Sequence, residues 1–298
     1  MNFSTVALIG RYRDTGLNTP LEKLVNLLIK ANRQVLIESE TAYNTGLCNY
    51  PIASLKQIGD YASLAIVIGG DGTVLSTARY LAPYGVPLLG INHGRLGFIT
   101  DIPICDMTNA INWIIEGNYQ IEERILLKST VWRDNEKIHS ALSLNDVVLN
   151  RSSRGGMIEI EIEYNNTFMY TQRADGLIIA TPTGSTAYAL ASNGPILHPT
   201  LNAILLVPVA PQTLSNRPII IPENGILKMK LTEIGRDTGA NVHFDTQTLS
   251  NLQLGDQITV ERSKYKTRFV HPDGYSFFST LRKKLHWNIM PKSSDCKF

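Results

Sequence analysis

The chain has 298 residues, of which 43% are hydrophobic and 18% are charged, and its formal net charge at pH 7 is +2. This length suffices for two domains with separate cores, and the composition is ordinary for a globular protein. The small net charge favours neither a nucleic-acid nor a membrane partner, and no segment reaches the roughly 18 apolar residues of a transmembrane helix.

The cysteines predict no disulfide framework and no zinc site. Cys48, Cys105 and Cys296 are widely spaced, and no two of them form a CxxC pair. The chain also begins almost at once with the strand-like residues 6–9, without a cationic leader and an apolar core behind it. Because free cysteines are typical of reducing compartments, we expect a cytoplasmic protein.

The first part of the chain alternates between strand patterns and helix patterns. Strands are predicted at residues 6–9, 34–38, 64–68 and 87–91. Thr19 and Pro20 predict an N-cap and a first helical turn, and apolar residues follow at helical spacing. This order predicts an open parallel α/β sheet, whose ligands bind at the carboxyl ends of the strands.

A glycine-rich loop, GGDGT at residues 69–73, follows the apolar strand at 64–68 and precedes a helix pattern at 76–81. Glycines let backbone N–H groups approach a phosphate, and the helix start adds a favourable dipole. Phosphate repels a carboxylate, so we expect Asp71 to accept a proton from a hydroxyl group or to face a bridging metal ion. The alternative is a simple turn, but the position directly after a buried-type strand favours phosphate binding.

A second polar loop rich in glycine, at residues 92–97, follows the strand at 87–91. The carboxyl ends of neighbouring parallel strands meet at one edge of a sheet. We therefore expect the two loops to converge on one crevice.

From about residue 121 the pattern changes to short apolar or alternating segments, which is typical of a β sandwich or barrel. These segments are residues 126–132, 146–149, 158–164, 176–180, 204–207, 226–231, 257–261 and 265–270. Residues 279–287 predict a closing helix. The sequence thus predicts an α/β N-terminal domain with an open parallel sheet and a β-rich C-terminal domain.

A polar pair, Asn145-Asp146, interrupts an apolar run in this β-rich region. Such a pair near a core costs free energy unless a ligand or a protein group satisfies it. We therefore take it as a candidate binding site, and a solvent-facing strand end or turn is the alternative.

A longer motif occupies residues 173–188, where an apolar strand lies between an acidic turn and a loop of threonine, serine and glycine. Asp175 is able to accept hydrogen bonds from a ribose or an adenine amino group. Thr186 and Tyr188 offer a hydroxyl group and an aromatic face. A hairpin followed by hydroxyl-rich helix capping is the alternative explanation.

Other common motifs are absent from the sequence. No HExxH or comparable metal spacing involves His93 or His243, so structural or surface roles are expected for them. No GxSxG motif supports a hydrolase, and no GxxxxGK[ST] motif supports a P-loop nucleotide site.

Taken together, these motifs resemble the NAD kinase family, in the form found in Gram-negative bacteria. The segments that carry the resemblance lie at residues 69–73, 92–98, 145–146, 175–176, 181–188, 194–196 and 215–218. The GGDGT loop is shared with lipid and sugar kinases, whereas TPTGSTAY after an Asp-Gly pair is particular to NAD kinases. The order of the motifs holds over roughly residues 60–275.

The resemblance implies an ATP-dependent NAD kinase. Such an enzyme transfers the γ-phosphoryl group of ATP to the 2′-hydroxyl of the adenosine ribose of NAD, giving NADP and ADP. It further implies an α/β domain at residues 1–102 and 275–298 and a β-rich NAD-binding domain at residues 103–274. Mg²⁺ carried by the ATP phosphates, with no metal ligand from the chain, and a homodimer or homotetramer are also implied.

The resemblance also assigns site residues. Asp71 is implied to be the catalytic base or to position the metal-bound donor. The residues implied to bind NAD or nucleotide are Gly70, Asp71, Gly72, Thr73, Asn145, Asp146, Arg173, Asp175, Thr186, Ala187, Tyr188, His243 and Gln247. The implied phosphate loop comprises Gly69, Asn92, Gly94, Leu96, Gly97 and Phe98.

Two positions bear on specificity. Asp146 stands where many relatives have glutamate, which is one methylene longer. Arg173 is implied to accompany a preference for NAD over NADH and for ATP over polyphosphate. A lipid or sugar kinase and a non-catalytic NAD(P) sensor are the alternative functions; the carboxylate of Asp71, which a sensor does not need, favours an enzyme.

Overall fold

The computed structural model describes residues 3–11, 14–152, 155–235 and 239–287. Cys296 lies outside these ranges. The chain divides into two compact units: residues 1–77, 86–122 and 269–298 form the first unit, and residues 78–85 and 123–268 form the second. The domain boundaries implied by the resemblance, at residues 102/103 and 274/275, stay a prediction.

The first unit contains a parallel sheet. Its strands are β1 (Thr5–Gly10), β2 (Gln34–Glu38), β3 (Ile52–Ala53), β4 (Leu64–Gly69), β5 (Leu88–Asn92) and β6 (Ile102–Pro103). They pair in parallel in the order β5-β4-β1-β2-β3, with β6 beside β5. This topology confirms the open parallel sheet that the sequence predicts.

Helices alternate with these strands. They are α1 (Asn18–Lys30), α2 (Ser39–Thr45), α3 (Leu55–Tyr61), α4 (Asp71–Leu81) and α5 (Met107–Ile115). The strand β4 is buried along its whole length, which explains why its sequence is continuously apolar. In α1 the side chains at helical spacing are buried, and each contributes about 1.5–3 kcal/mol to stability.

The start of α1 differs from the prediction. Thr19 is not its N-cap: the helix begins at Asn18, and Leu17 occupies the N-cap position without a side-chain hydrogen bond. The reason is a 3-10 turn, Thr15–Leu17, that leads directly into the helix. The capping carboxylate is Asp14, one turn earlier, which accepts from the N–H of Gly16 at 3.0 Å.

The second unit is rich in strands. They are β7 (Tyr119–Arg133), β8 (Glu136–Ser143), β9 (Asp146–Arg151), β10 (Ile158–Tyr164), β11 (Thr167–Ala174), β12 (Gly176–Ala180), β13 (Ala203–Val209), β14 (Ile219–Pro222), β15 (Ile226–Ile234), β16 (Ala240–Phe244), β17 (Gln247–Leu252) and β18 (Gln257–Pro272). One sheet has the order β11-β10-β15-β18-β7-β8, and the other has the order β14-β13-β12-β9-β16-β17. Buried residues of both sheets form one hydrophobic cluster.

Two further elements complete the chain. A short helix, α6 (Tyr188–Ala191), follows a 3-10 turn, Thr183–Thr186, in the second unit. The helix α7 (Phe277–Leu285) belongs to the first unit and begins two residues before the predicted segment 279–287. Within the ranges that the structure describes, no helix combines the length and the apolar character needed to cross a bilayer.

The strand β18 differs from the two separate segments that the sequence predicts. It is continuous from Gln257 to Pro272, and its residues from Phe269 onward belong to the first unit, where Phe269 pairs in parallel with Leu88 of β5. Burial alternates at Ile258 and Val260, shifts by one position at residues 261–262, and resumes at Ser263, which is buried although it is polar. The apolar pattern therefore breaks while the strand does not.

Candidate active site

In the first unit, the carboxylate of Asp71 is fixed by the loop that follows β5. Asp71 is the first residue of α4, directly behind β4 and Gly70. Its Oδ2 accepts from the N–H of Phe98 at 2.9 Å, and its Oδ1 accepts from the N–H groups of Ile99 and Thr100 at 3.1 Å each. The Thr100 hydroxyl also donates to Oδ1, at 3.1 Å. The structure thus brings together the two glycine-rich loops that the sequence singles out.

Gly97 makes this arrangement sterically possible. A Cβ atom at this position would lie 2.0 Å from Oδ1 of Asp71 and 2.3 Å from the hydroxyl oxygen of Thr100. Since real side chains never approach so closely, the carboxylate and a residue larger than glycine cannot occupy this space together.

The surface around Asp71 consists largely of backbone atoms and is partly exposed. A Cβ atom on Gly70 or Gly72 would meet no atom within 4 Å, so both glycines present bare backbone. Asn92 is buried, and the next residue, His93, donates its N–H to the carbonyl of Gly69 at 3.3 Å. The start of α4 beside such a surface favours an anion.

In the second unit, Asp245 clamps the predicted pair Asn145-Asp146. Oδ1 of Asp245 accepts from the N–H groups of Asn145 at 2.8 Å and Asp146 at 3.0 Å. Oδ2 accepts from the N–H of Leu144 at 2.9 Å and from Nη1 of Arg79 at 2.8 Å. The Asp245 side chain is fully buried and that of Arg79 is 9% exposed, so the charge of the carboxylate is compensated inside the protein.

The contacts that join Asp245 to Arg79 and to the pair Asn145-Asp146 were not predicted from the sequence. Asp245 lies in the two-residue turn between β16 and β17 with φ of 52°, a conformation that aspartate tolerates better than most residues. The local signal therefore predicts a turn and nothing more. The side-chain partners are about a hundred or more residues away in sequence and leave no local pattern.

Asp146 is a buried acid beside this clamp. Burial, and then the negative charge of Asp245, raise the pKa of its carboxyl group to about 7. Near neutral pH this group therefore exists in both the acid and the carboxylate form, and it is able to donate or accept a hydrogen bond.

The TPTGSTAY loop packs against the same pair from another side. Thr181 donates its hydroxyl to the carbonyl of Leu144 at 2.6 Å and its N–H to the carbonyl of Asn145 at 2.8 Å. A Cβ atom on Gly184 would lie 2.1 Å from the Asn145 carbonyl oxygen, so the backbones are in direct contact. Oδ1 of Asn145 is buried and accepts no hydrogen bond from the described residues.

The remainder of this motif is more exposed. The Thr186 hydroxyl donates to the carbonyl of Thr183 at 3.2 Å. Such a local bond is similar to the hydroxyl-rich helix capping that was the alternative explanation of this motif. Ala187 is partly buried, and Tyr188 is 44% exposed.

The structure does not bring Asp175 and Arg173 to this cluster. Ala180 of β12 pairs with Asp146, whereas Gly176, at the other end of β12, pairs with Asn150. At about 3.3 Å per residue, Asp175 lies roughly 17 Å from Asp146 along the strand. Asp175 instead pairs with Arg151, with distances of 2.6 Å and 3.0 Å.

Arg173 and Glu233 form an ion pair at 3.0 Å on a surface where both side chains are about half exposed.

His243 and Gln247 flank the Asp245 turn. The ring nitrogens of His243 lie 2.8 Å from the Thr248 hydroxyl and 3.1 Å from Oδ1 of Asn150, and burial lowers the pKa of the imidazole. Gln247 is exposed and pairs with Phe244.

No group of three or more His, Cys, Asp or Glu side chains within the described ranges is arranged to hold a metal ion. A carboxylate fixed beside bare glycine backbone, behind a parallel strand and at the start of a helix, combines a proton acceptor with an anion-binding surface. The fold and the first-unit loop therefore suit a phosphotransferase.

Comparison with known proteins identifies the family within that class. The model for the ATP-NAD kinase N-terminal domain matches residues 7–119, and the model for the ATP-NAD kinase C-terminal domain matches residues 144–272. The NAD kinase of Bordetella parapertussis is 64% identical over 296 residues, which cover 99% of either chain. The NAD kinase of Paraburkholderia phytofirmans is 50% identical, covering 98% of this chain and 97% of that protein.

Solved structures share the fold. Yeast NADH kinase complexed with NADH has a TM-score of 0.88 at 22% identity, covering 98% of this chain and 90% of that chain. The NAD kinase of Archaeoglobus fulgidus in complex with ATP has a TM-score of 0.73 at 20% identity, covering 95% of this chain and 98% of that one.

The chain belongs to the ATP-NAD kinase family, and its activity is the ATP-dependent phosphorylation of NAD. This confirms the family and the activity that the sequence motifs imply. It also excludes the lipid and sugar kinase alternative, because the matching models cover both the glycine-loop region and the β-rich region.

Proposed function

We propose that Oδ2 of Asp71 accepts the proton of the 2′-hydroxyl of the adenosine ribose of NAD while the ribose oxygen bonds to the γ-phosphorus of ATP. The bond between that phosphorus and the bridging oxygen of the β-phosphate breaks, and this oxygen leaves with ADP. The products are NADP and ADP. The observation that carries this role is the uneven hydrogen bonding of the carboxylate: three donors occupy Oδ1, and one occupies Oδ2. A carboxylate has about four lone-pair sites, so the remaining acceptor capacity lies on Oδ2.

The backbone around Asp71 is proposed to bind the phosphates of ATP. The bare glycines and the start of α4 supply N–H groups and a favourable dipole, which suits a reaction that depends on alignment and charge neutralisation. The residues proposed for this role are Gly69, Gly70, Gly72, Thr73, Asn92, Gly94, Leu96, Gly97 and Phe98.

Asn145 and Asp146 are proposed to bind NAD. The support is the buried Oδ1 of Asn145, which lacks a donor among the described residues, beside an acid that is both donor and acceptor near neutral pH. The family resemblance extends this role to Arg173, Asp175, Thr186, Ala187, Tyr188, His243 and Gln247.

We propose that Mg²⁺ enters as the ion that accompanies the ATP phosphates, not as an ion held by the chain. Mg²⁺ often keeps several waters and binds through substrate phosphates.

The family further supports a homodimer or homotetramer. Ile219 and Ile220 on β14 are more than 40% exposed and provide apolar surface that a second copy would cover. A cytoplasmic location is proposed from the free thiols of Cys48 and Cys105.

The α/β domain is proposed to comprise residues 1–102 and 275–298, and the NAD-binding domain residues 103–274.

The variant Asp71→Asn tests the proposed base. We expect kcat to fall by at least about 100-fold, while the Kd for NAD measured by calorimetry changes little. Asp60→Asn, an exposed aspartate on α3, is the matched control and should leave both values unchanged. Parallel losses of NAD affinity and rate would instead make Asp71 a binding residue, and a wild-type kcat in Asp71→Asn would refute the base.

A further inference from the structure

The orientation of the Asp71 carboxylate depends on a loop and not on its own helix. All four donors described above come from residues 98–100. Movement of this loop would therefore move the carboxylate relative to its substrate. Whatever braces the loop also braces Asp71.

A buried histidine contacts the residue that follows these donors. Asp101 is bonded directly to Thr100, and its Oδ2 lies 3.1 Å from Nδ1 of His271. The side chains are 10% and 2% exposed, respectively, so water does not compete strongly for this contact. Because a carboxylate only accepts, Nδ1 carries the proton.

The imidazole is itself held in place. The ring of Tyr275 stacks on it, with centroids 3.8 Å apart and planes inclined by 7°. Its Nε2 lies 4.0 Å from Oε1 of Glu122, and this distance is too long for a hydrogen bond. Nε2 has no hydrogen-bond partner among the described residues. Within the described residues, the hydrogen bond of this ring is therefore the one to Asp101.

A second contact from the same part of the chain reaches the other end of the loop. Lys284 of α7 donates to the carbonyl of Leu96, and its ammonium lies 5.8 Å from the centre of the Phe98 ring. Residues 271–284 therefore touch the loop on both sides of the three N–H donors.

We propose that His271 is a positioning residue for phosphoryl transfer: through Asp101 it holds the loop that orients the Asp71 carboxylate. This inference rests on the proposed role of Asp71 as the base. His271 touches neither Asp71 nor the reacting atoms, and it acts by limiting the positions that the carboxylate occupies. Its loss lowers the rate of transfer more than the affinity for either substrate.

Two different substitutions of His271 separate this role from a general contribution to folding. Asn places its Nδ2 near the position of the histidine Nδ1 and keeps the donor to Asp101, whereas Leu fills similar volume without a donor. Both lose the stacking on Tyr275. We expect His271→Leu to lower kcat by at least about 10-fold, with KM for NAD and ATP within about 3-fold, and His271→Asn to recover most of the loss.

Equal kcat values in His271→Leu and His271→Asn would overturn the proposal, and so would a loss confined to KM. If His271→Leu does not fold, Asp101→Ala and Asp101→Asn provide the same comparison from the other partner, because Asn keeps an acceptor for Nδ1–H. Asp71→Asn is assayed alongside. A fully active His271→Leu with an inactive Asp71→Asn refutes only the positioning role, whereas an active Asp71→Asn refutes the base itself.

Discussion

Replacing Asp245 with asparagine tests the clamp on Asn145 and Asp146, the pair proposed to bind NAD. The asparagine oxygen is able to serve either the donors of Asn145 and Asp146 or those of Leu144 and Arg79, and its NH₂ group then faces the other pair. Two buried donors lose an acceptor, at about 1–3 kcal/mol each, and the buried charge of Arg79 loses its partner. These costs overlap, so we expect a loss of about 3–5 kcal/mol in the free energy of unfolding of the second unit.

The same change should weaken NAD binding. The N–H groups of Asn145 and Asp146 would no longer be held, and we expect KM for NAD to rise by about 10-fold, which corresponds to about 1.4 kcal/mol. Thermal unfolding followed by circular dichroism measures the first effect, at roughly 2–4 °C for each kcal/mol. Steady-state assays of NADP formation measure the second.

Asp256→Asn is the matched control for Asp245→Asn. Asp256 is also buried in the second unit, with a side chain that is 1% exposed, and it pairs with Arg133 through two hydrogen bonds of 2.8 Å and 2.7 Å. We expect it to lose comparable stability with an unchanged KM for NAD. An unchanged KM in Asp245→Asn, or an equal rise in Asp256→Asn, would show that the Asp245 clamp has no specific effect on NAD binding.

Three further predictions concern other parts of the site. Gly97→Ala should lower kcat by about 100-fold in the NADP assay, because its Cβ would occupy the space of Oδ1 of Asp71; an active variant would contradict the geometry. Because the pKa of Asp146 is raised to about 7, its neutral form stabilises the folded state. This contribution to the free energy of unfolding is fully present below the pKa of the unfolded state and is lost as the pH rises through about 7. From about pH 5 to 9 the wild type should therefore lose about 3 kcal/mol relative to Asp146→Asn in urea titrations, and parallel profiles would refute this. From the presence of Arg173 we predict that ATP reacts faster than polyphosphate and that NAD reacts faster than NADH. Equal initial rates would show that prediction to be wrong.

The sequence was sufficient for those parts of the fold that follow local periodicity. The strand β4 is apolar throughout because it is buried on both faces, and the glycines behind it mark its end. The middle of β18 escaped prediction because the alternation of burial shifts by one position at residues 261–262 and the next buried residue, Ser263, is polar. Period 2 is a property of the backbone, but it shows in a sequence only where inward and outward residues differ in polarity.

At the candidate site, the sequence predicts a role where a residue type itself carries the chemistry, as at Asp71 and the pair Asn145-Asp146. The contacts of Asp245 were not predictable, because a two-residue turn already explains an aspartate at that position. Its contact with Arg79 joins residues 166 positions apart, and only the folded chain brings them together. The same holds for the contact of His271 with Asp101, which spans 170 positions.

Phosphorylation of NAD with Asp71 as the base is tested by one coupled assay. Purified protein is incubated with NAD, ATP and Mg²⁺, and NADP is measured with an NADP-specific dehydrogenase while ADP is measured in parallel. We expect equal amounts of NADP and ADP from the wild type and almost none from folded Asp71→Asn. A folded wild type that binds NAD but forms no NADP would contradict the account and favour a non-catalytic NAD sensor.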